Sequence, residues 1–313
     1  MNLKSTGLVI IVSILVLVNA YFFITVIRGA NNTPGPIFNT TQAFIEPPNQ
    51  VTFSPVFKGN SGSVELDAKS AVVYDLKADR NLYEKNIKEK LPVASLTKIL
   101  NAIVVWEKFS PSDEVTISPS SIKVDGERQD LYAGETLTVN SLVKLMLVES
   151  SNDAAYALRD FAAGRQIDLV GEMNTKALGL GMRDTLIKDP AGLDDSAYST
   201  VSDLVKAVRY ALRYDPIWSF SRQATTMVVS VDGKISHEIK NTNQLLGVLP
   251  DIIGGKTGYT EGSLGCIILI IDMPSGEGLT SQNDKIIAVI LGSRGRFEDM
   301  KKLVAWTKSS YQW

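Results

Sequence analysis

The chain has 313 residues, 44% of them apolar, enough for one large domain or two small ones. Its 32 lysines and arginines nearly balance 34 acidic residues; the net charge of -2 gives no overall basic field of the kind a duplex binder needs, so nucleic acid is not expected as a partner. One cysteine and one histidine exclude a disulfide framework and argue against a zinc centre, so neither metal nor cofactor is expected.

From Gly7 to Ile27 the chain carries no charge, and a bilayer span takes about 20 such residues. Two readings fit: an uncleaved anchor, or a signal peptide cut after Val18-Asn19-Ala20. Cutting there would leave Tyr21-Phe22-Phe23-Ile24 on the new terminus, which favours the anchor. Lys4 flanks one side and Arg28 the other, so charge alone does not orient the segment. Residues 29–62 are rich in Asn, Thr, Pro and Gly with no apolar period, and read as a linker with a reach on the order of 30 Å. The division is therefore 1–28 anchor, 29–62 linker and 63–313 globular domain.

That domain opens with a predicted hairpin, Ala71 to Leu76 and Asn81 to Glu84. A buried helix follows from Ser95, with Leu96, Ile99, Leu100, Ile103 and Val104 at spacings of three and four. A second helix is predicted with Asn140 as its cap, and a third after Asn152-Asp153 to Phe161, leaving Ser150 at the break. Helices are also predicted over 169–178 and 202–212. The continuous apolar runs Cys266 to Ile271 and Ile286 to Leu291 suit buried strands, and Phe297 to Tyr311 forms a closing helix. Strands at both ends with helices between them imply an α+β domain whose sheet joins its two ends. Cys266 reads as a buried strand residue, Trp306 and Trp313 as packing residues, and His237, after the turn Asp232-Gly233-Lys234, as a solvated hairpin residue.

Three short groups carry chemistry. Ser95-Leu96-Thr97-Lys98 places a hydroxyl and an amine one helical turn apart on one face, so the amine can take the hydroxyl proton. Ser120 with Lys123 and Ser141 with Lys144 have the same spacing; only the Ser95 pair leads into an apolar helix, and a plain helix cap remains the alternative reading. Ser150-Ser151-Asn152 offers a hydroxyl and an amide at a helix break, or ordinary capping. Lys256-Thr257-Gly258 puts a cation, a hydroxyl and bare backbone before the strand at Cys266, suited to holding a carboxylate while a peptide lies alongside; the alternative is a glycine-rich turn.

In this order and on these elements, the three groups resemble the S-x-x-K, S-x-N and K-T-G motifs of the penicillin-binding protein and serine β-lactamase superfamily. The closest likeness is to the low-molecular-mass D-alanyl-D-alanine carboxypeptidases, over about Ser70 to Ser309, and includes Glu149 to Ala155, Pro190-Ala191-Gly192-Leu193-Asp194 and Gly255 to Thr260. The resemblance implies a β-lactamase/transpeptidase-like fold, a central antiparallel sheet flanked by helices plus an all-helical subdomain. It implies Ser95 as nucleophile and Lys98 as a neutral base, its pKa lowered by burial and by a cation such as Lys256. Ser150 would relay a proton and Asn152 would position the substrate amide. The Ser95 and Tyr259 N–H groups would cradle the oxyanion, and Lys256, Thr257 and Gly258 with Arg296 would hold the terminal carboxylate.

The implied substrate is a peptidoglycan stem peptide ending in D-Ala-D-Ala, with β-lactams as covalent mimics. The implied location is the outer face of a bacterial cell membrane, held to the bilayer through residues 7–27. Ser151 stands where close relatives more often have glycine or alanine, and the extra β-rich domain and C-terminal anchor of many relatives are not expected. Three rivals share the motifs. A D,D-endopeptidase uses the same residues; a β-lactamase of the class A type would need a placed glutamate, for which only Glu172 is available between Glu149 and Glu238; a silent wall-binding protein would not need Ser95, Lys98 and Lys256 intact.

Overall fold

The computed structural model describes residues 55–59, 62–123, 131–273 and 284–313, all within one compact unit. The expected anchor at 7–27 and most of the expected linker lie outside the described residues. Among those described, no helix is long and apolar enough to cross a membrane.

Five antiparallel strands form the central sheet: β2 (Ser70–Asp75), β3 (Arg80–Lys85), β8 (Ile252–Thr260), β9 (Leu264–Asp272) and β10 (Lys285–Ser293). Their spatial order is β3-β2-β10-β9-β8, so the first hairpin and the last strands meet where β2 pairs with β10, with Val72 opposite Val289. The apolar runs have a direct explanation. Cys266, Ile268, Ile270, Ile287, Val289 and Leu291 pack on one face, and Ile267, Leu269, Ile271, Ile286, Ala288 and Ile290 on the other. Successive side chains point to opposite faces, so a sheet covered on both sides needs an apolar residue at every position.

One face carries α1 (Thr97–Lys108), α2 (Val139–Val148), α3 (Asn152–Ala163), α4 (Leu169–Gly179), α5 (Val201–Ala211) and α6 (Asp215–Ser221), whose apolar residues share one core. The other face is covered by α7 (Arg296–Ser310) through Met300, Leu303 and Val304. In α1 every residue from Thr97 to Val105 is buried. Lys98 and Asn101, one turn apart within this buried stretch, both turn toward the loop at 189–192.

Several expectations need correction. The helical part is not all-helical: it includes the two-stranded pairs β4 (Glu114–Thr116) with β5 (Thr136–Thr138), and β6 (Thr225–Val229) with β7 (Ser236–Lys240). The cap of α2 is Thr138, whose hydroxyl accepts the Ser141 N–H at 3.1 Å, two residues before the expected Asn140. His237 is buried rather than solvated, its Nε2 2.9 Å from Glu135 Oε2. The expected linker also gives way before residue 62, because β1 (Val56–Phe57) pairs with β11 (Tyr311–Gln312), and the Phe57 and Tyr311 rings lie 5.3 Å apart. A contact between the two ends of a chain leaves no trace in local composition.

Asp299, in the first turn of α7, ties that helix to the lead-in of β2 and the end of β10. Its carboxylate accepts the N–H groups of Asp67 at 3.2 Å and Ala68 at 2.9 Å, and the Ser293 hydroxyl at 2.7 Å. Asp299→Ala strands these donors in a buried setting and is expected to lower stability by about 2–4 kcal/mol in urea unfolding.

Candidate active site

Ser95 sits in the tight 3-10 turn Ala94–Leu96 that runs directly into α1, so its hydroxyl projects into a cleft instead of being spent on a cap; no side chain caps that helix start. Lys98 is fully buried, and its Nζ lies 2.7 Å from Ser95 Oγ, 2.8 Å from Asn152 Oδ1 and 2.8 Å from the Ala191 carbonyl. Burial pushes the Lys98 amine down to about 7, while the charge of Asp189 pulls the other way. A neutral amine has two N–H groups and one lone pair. Asn152 and Ala191 offer only acceptors and take the two hydrogens, which leaves the lone pair for the Ser95 hydroxyl.

Asn152 opens α3, and the residue before it explains the motif's middle position. Ser151 caps the helix, accepting the Ala154 N–H at 3.1 Å, and is buried. Ser150 takes a left-handed conformation, φ +69°, which turns its hydroxyl toward β8. There Lys256 Nζ donates to Ser150 Oγ at 2.8 Å and to the Thr257 carbonyl at 2.9 Å. Lys256 is buried, and its pKa falls well below the ordinary lysine value through burial first, then the cations Lys98 and Arg296. Burial is the largest cause lowering both amines.

β8 is an edge strand, as its proposed use requires, and it passes close to the Ser95 turn. A Cβ on Gly258 would lie 3.0 Å from the Ser95 nitrogen and 3.1 Å from Ala94 Cβ, so glycine sets the gap between strand and turn. One cleft of about 240 Å³ is lined by Ser95, Ser150, Asn152, Thr257, Gly258, Tyr259 and Arg296, with Lys98 and Lys256 buried alongside. Ser95, Lys98, Ser150, Asn152, Lys256, Thr257, Gly258, Tyr259 and Arg296 therefore meet at one place. His237 is not among the cleft residues, and Glu172 points away, ion-paired with Lys108 at 3.0 Å.

Other residues complete the site without having been assigned a part. Thr242 lines the cleft and shares a 2.5 Å hydrogen bond with the Thr257 hydroxyl. The loop at 189–194 supplies the Ala191 carbonyl beneath Lys98 and the cleft residues Gly192 and Leu193. Its text, Pro190 to Asp194, is legible as part of the resemblance, but nothing in it announces that a main-chain carbonyl faces a lysine from another element. Gly192 has φ +82°, and a Cβ there would sit 1.9 Å from the Ala94 carbonyl oxygen.

With this geometry in view, the comparisons are specific. A family model described as D-alanyl-D-alanine carboxypeptidase, peptidase family S11, matches residues 57–295. The chain belongs to that family. It is 30% identical over 255 residues to the D-alanyl-D-alanine carboxypeptidase DacF of Bacillus subtilis, covering 79% of this chain and 63% of that protein. It is 34% identical over 199 residues to a D-alanyl-D-alanine endopeptidase of Haemophilus influenzae, covering 63% and 68%. Among solved structures, a mutant Streptomyces DD-transpeptidase matches with a TM-score of 0.71 at 26% identity, over 79% of this chain and all (100%) of that one. A penicillin-binding protein of Listeria monocytogenes in its ampicillin-bound form matches with a TM-score of 0.66 at 28% identity, over 79% and 99%.

The carboxypeptidase-family cleft depends on the seat that Gly192 gives the Ser95 turn. Gly192→Ala must displace that turn as well as adopt an unfavourable φ. It is expected to cost at least about 2 kcal/mol in thermal or urea unfolding, whereas Gly233→Ala, also at positive φ but with open space around it, is expected to cost less.

Proposed function

We propose that the protein is a serine D-Ala-D-Ala carboxypeptidase that removes the terminal D-alanine from peptidoglycan stem pentapeptides. The observation that carries this reading is the three-way junction at Lys98 Nζ, within 2.8 Å of Ser95, Asn152 and Ala191. The family, which pairs this geometry with a named activity, supports it.

Ser95 Oγ attacks the carbonyl between the two D-alanines as its proton passes to Lys98. The N–H groups of Ser95 and Tyr259 hold the resulting oxyanion. The nearness of Gly258 to the Ser95 nitrogen supports that pairing, because it puts the two backbones side by side. Ser150 relays a proton to the departing amine, giving its own hydroxyl hydrogen as it takes one from Lys256 Nζ, which donates to Ser150 Oγ. Asn152 positions the substrate amide, and Lys256, Thr257 and Arg296 receive the terminal carboxylate. Water then releases the acyl group from Ser95. β-Lactams acylate the same hydroxyl, a reading supported by the ampicillin-bound relative of the same fold.

A second reading, cleavage of D,D cross-links between stem peptides, is favoured by the relatives named as endopeptidases. The residues serve either reaction, and the room beyond the cleft decides between them. We further place the catalytic domain outside the cytoplasm of a bacterial cell, tethered to the membrane by residues 7–27, a reading carried by the uncharged run alone.

Full-length protein in detergent is expected to release D-alanine from a pentapeptide ending in D-Ala-D-Ala, and Ser95→Ala to release at least about 1,000-fold less. Equal release by both would sink the assignment. Release from a cross-linked muropeptide dimer at a higher rate than from the pentapeptide would favour the endopeptidase. Because Lys98 acts as base only when neutral and titrates at about 7, acylation by a fluorescent penicillin should rise with pH, by roughly thirty-fold from pH 5.5 to 8. A rate flat across that window would remove Lys98 from the role of base.

A further inference from the structure

The loop that supplies Ala191 is built around one carboxylate. Asp189 Oδ1 accepts the N–H groups of Ala191 at 2.8 Å and Gly192 at 2.7 Å, while Oδ2 accepts those of Leu193 and Asp194, each at 2.9 Å. Four consecutive amides therefore converge on a single side chain, forming a backbone concavity filled by an anion of the chain itself. The carbonyls of the same stretch turn the opposite way, into α1. Pro190 O accepts from Asn101 Nδ2 at 2.9 Å, and Ala191 O accepts from Lys98 Nζ at 2.8 Å. Gly192 closes the arrangement against Ala94, the residue before the nucleophile.

From this geometry we infer that Asp189 is a positioning residue for Lys98, gripping the loop so that the Ala191 carbonyl claims one N–H of the amine and directs its lone pair at Ser95. The inference rests on the reading of Ser95 and Lys98 as nucleophile and base. It assigns Asp189 no contact with substrate.

Two effects of the carboxylate follow, and they separate in experiment. Mechanically, it fixes where the acceptor stands. Electrostatically, it is the charge that acts on Lys98 against burial, favouring the protonated amine. Other charged and titratable groups surround the cleft: Lys256 on β8, Glu149 before α3, Tyr156 on α3 and Arg296 at the head of α7. Removing the Asp189 charge leaves burial without that opposing pull, so Lys98 should lose its proton at lower pH. Asp189→Asn also presents an amide NH2 where two N–H groups now find an acceptor, which loosens the loop.

The test is the rate of acylation of the full-length protein by a fluorescent penicillin from pH 5 to 9, for the native chain, Asp189→Asn and Asn101→Leu. Asp189→Asn is expected to acylate at least about ten-fold more slowly at its plateau, with the acid limb moved to lower pH. Asn101→Leu removes the Pro190 anchor but keeps the charge. It should slow acylation while leaving the limb where it is in the native protein.

A native plateau rate and limb in Asp189→Asn would overturn the inference. So would a slowed rate with an unmoved limb, which is what a merely structural loop would give. If Asp189→Asn does not fold, Asn101→Leu carries the test, and a native rate there refutes the loop's positioning role. Failure of the native chain itself to be acylated would instead bring down the reading of Ser95 and Lys98, so the two failures are distinguishable.

Discussion

Two buried amines border one cleft, and that constraint organises the site. Lys98 and Lys256 are both buried, and two ammonium groups so placed repel each other while each loses its hydration. The protein answers with a division of labour. Lys98 is surrounded by three oxygen atoms in fixed positions and brought close to neutrality by burial. Lys256 is bound to a hydroxyl and to a carbonyl of its own strand, next to the edge where an anion can arrive.

Such an arrangement works only if four distant segments are held to fractions of an ångström, and the frame is suited to that. The Ser95 turn enters a helix buried on every side, and β8 is paired along its length with β9, itself in the middle of a two-faced sheet. The loop at 189–194 is drawn together by a single carboxylate, with Ala191 packed into the core. Left-handed backbone at Ser150 and at Ala94 marks where the chain accepts local strain to aim a side chain or a turn at the cleft. Both are held by well-packed neighbours, α2 with α3 and the Ser95 turn with β8.

Much of this was legible in the residue order. The apolar runs at Cys266 and Ile286 read as strands buried on two faces, and the helix after Ser95 as buried, because burial imposes a period that composition displays. The three motifs located Ser95, Lys98, Ser150, Asn152 and Lys256 through residue type and spacing. Other features were silent. Asp189 serves through backbone N–H groups, Ala191 through a carbonyl and Thr242 through a hydrogen bond to Thr257, and none of these depends on a residue type that advertises it. The three-residue strands β4 and β5 were too short to show a period, β1 was missed because its partner is remote in the chain, and His237 was placed in a hairpin but misjudged as solvated because Glu135, which accompanies it into the interior, is also remote.

Sequence by itself determined which groups were available: one hydroxyl–amine pair on an apolar helix, a second hydroxyl with an amide at a helix break, and a lysine beside bare backbone on a strand. It also determined that neither disulfides nor a histidine-rich metal site could carry the chemistry. Only the tertiary structure decided that these groups face one another, that both lysines lose their hydration to burial, and which main-chain oxygen completes the shell of Lys98. The physical reason is that residue type and period are local, whereas desolvation and charge coupling depend on everything the fold places within a few ångströms.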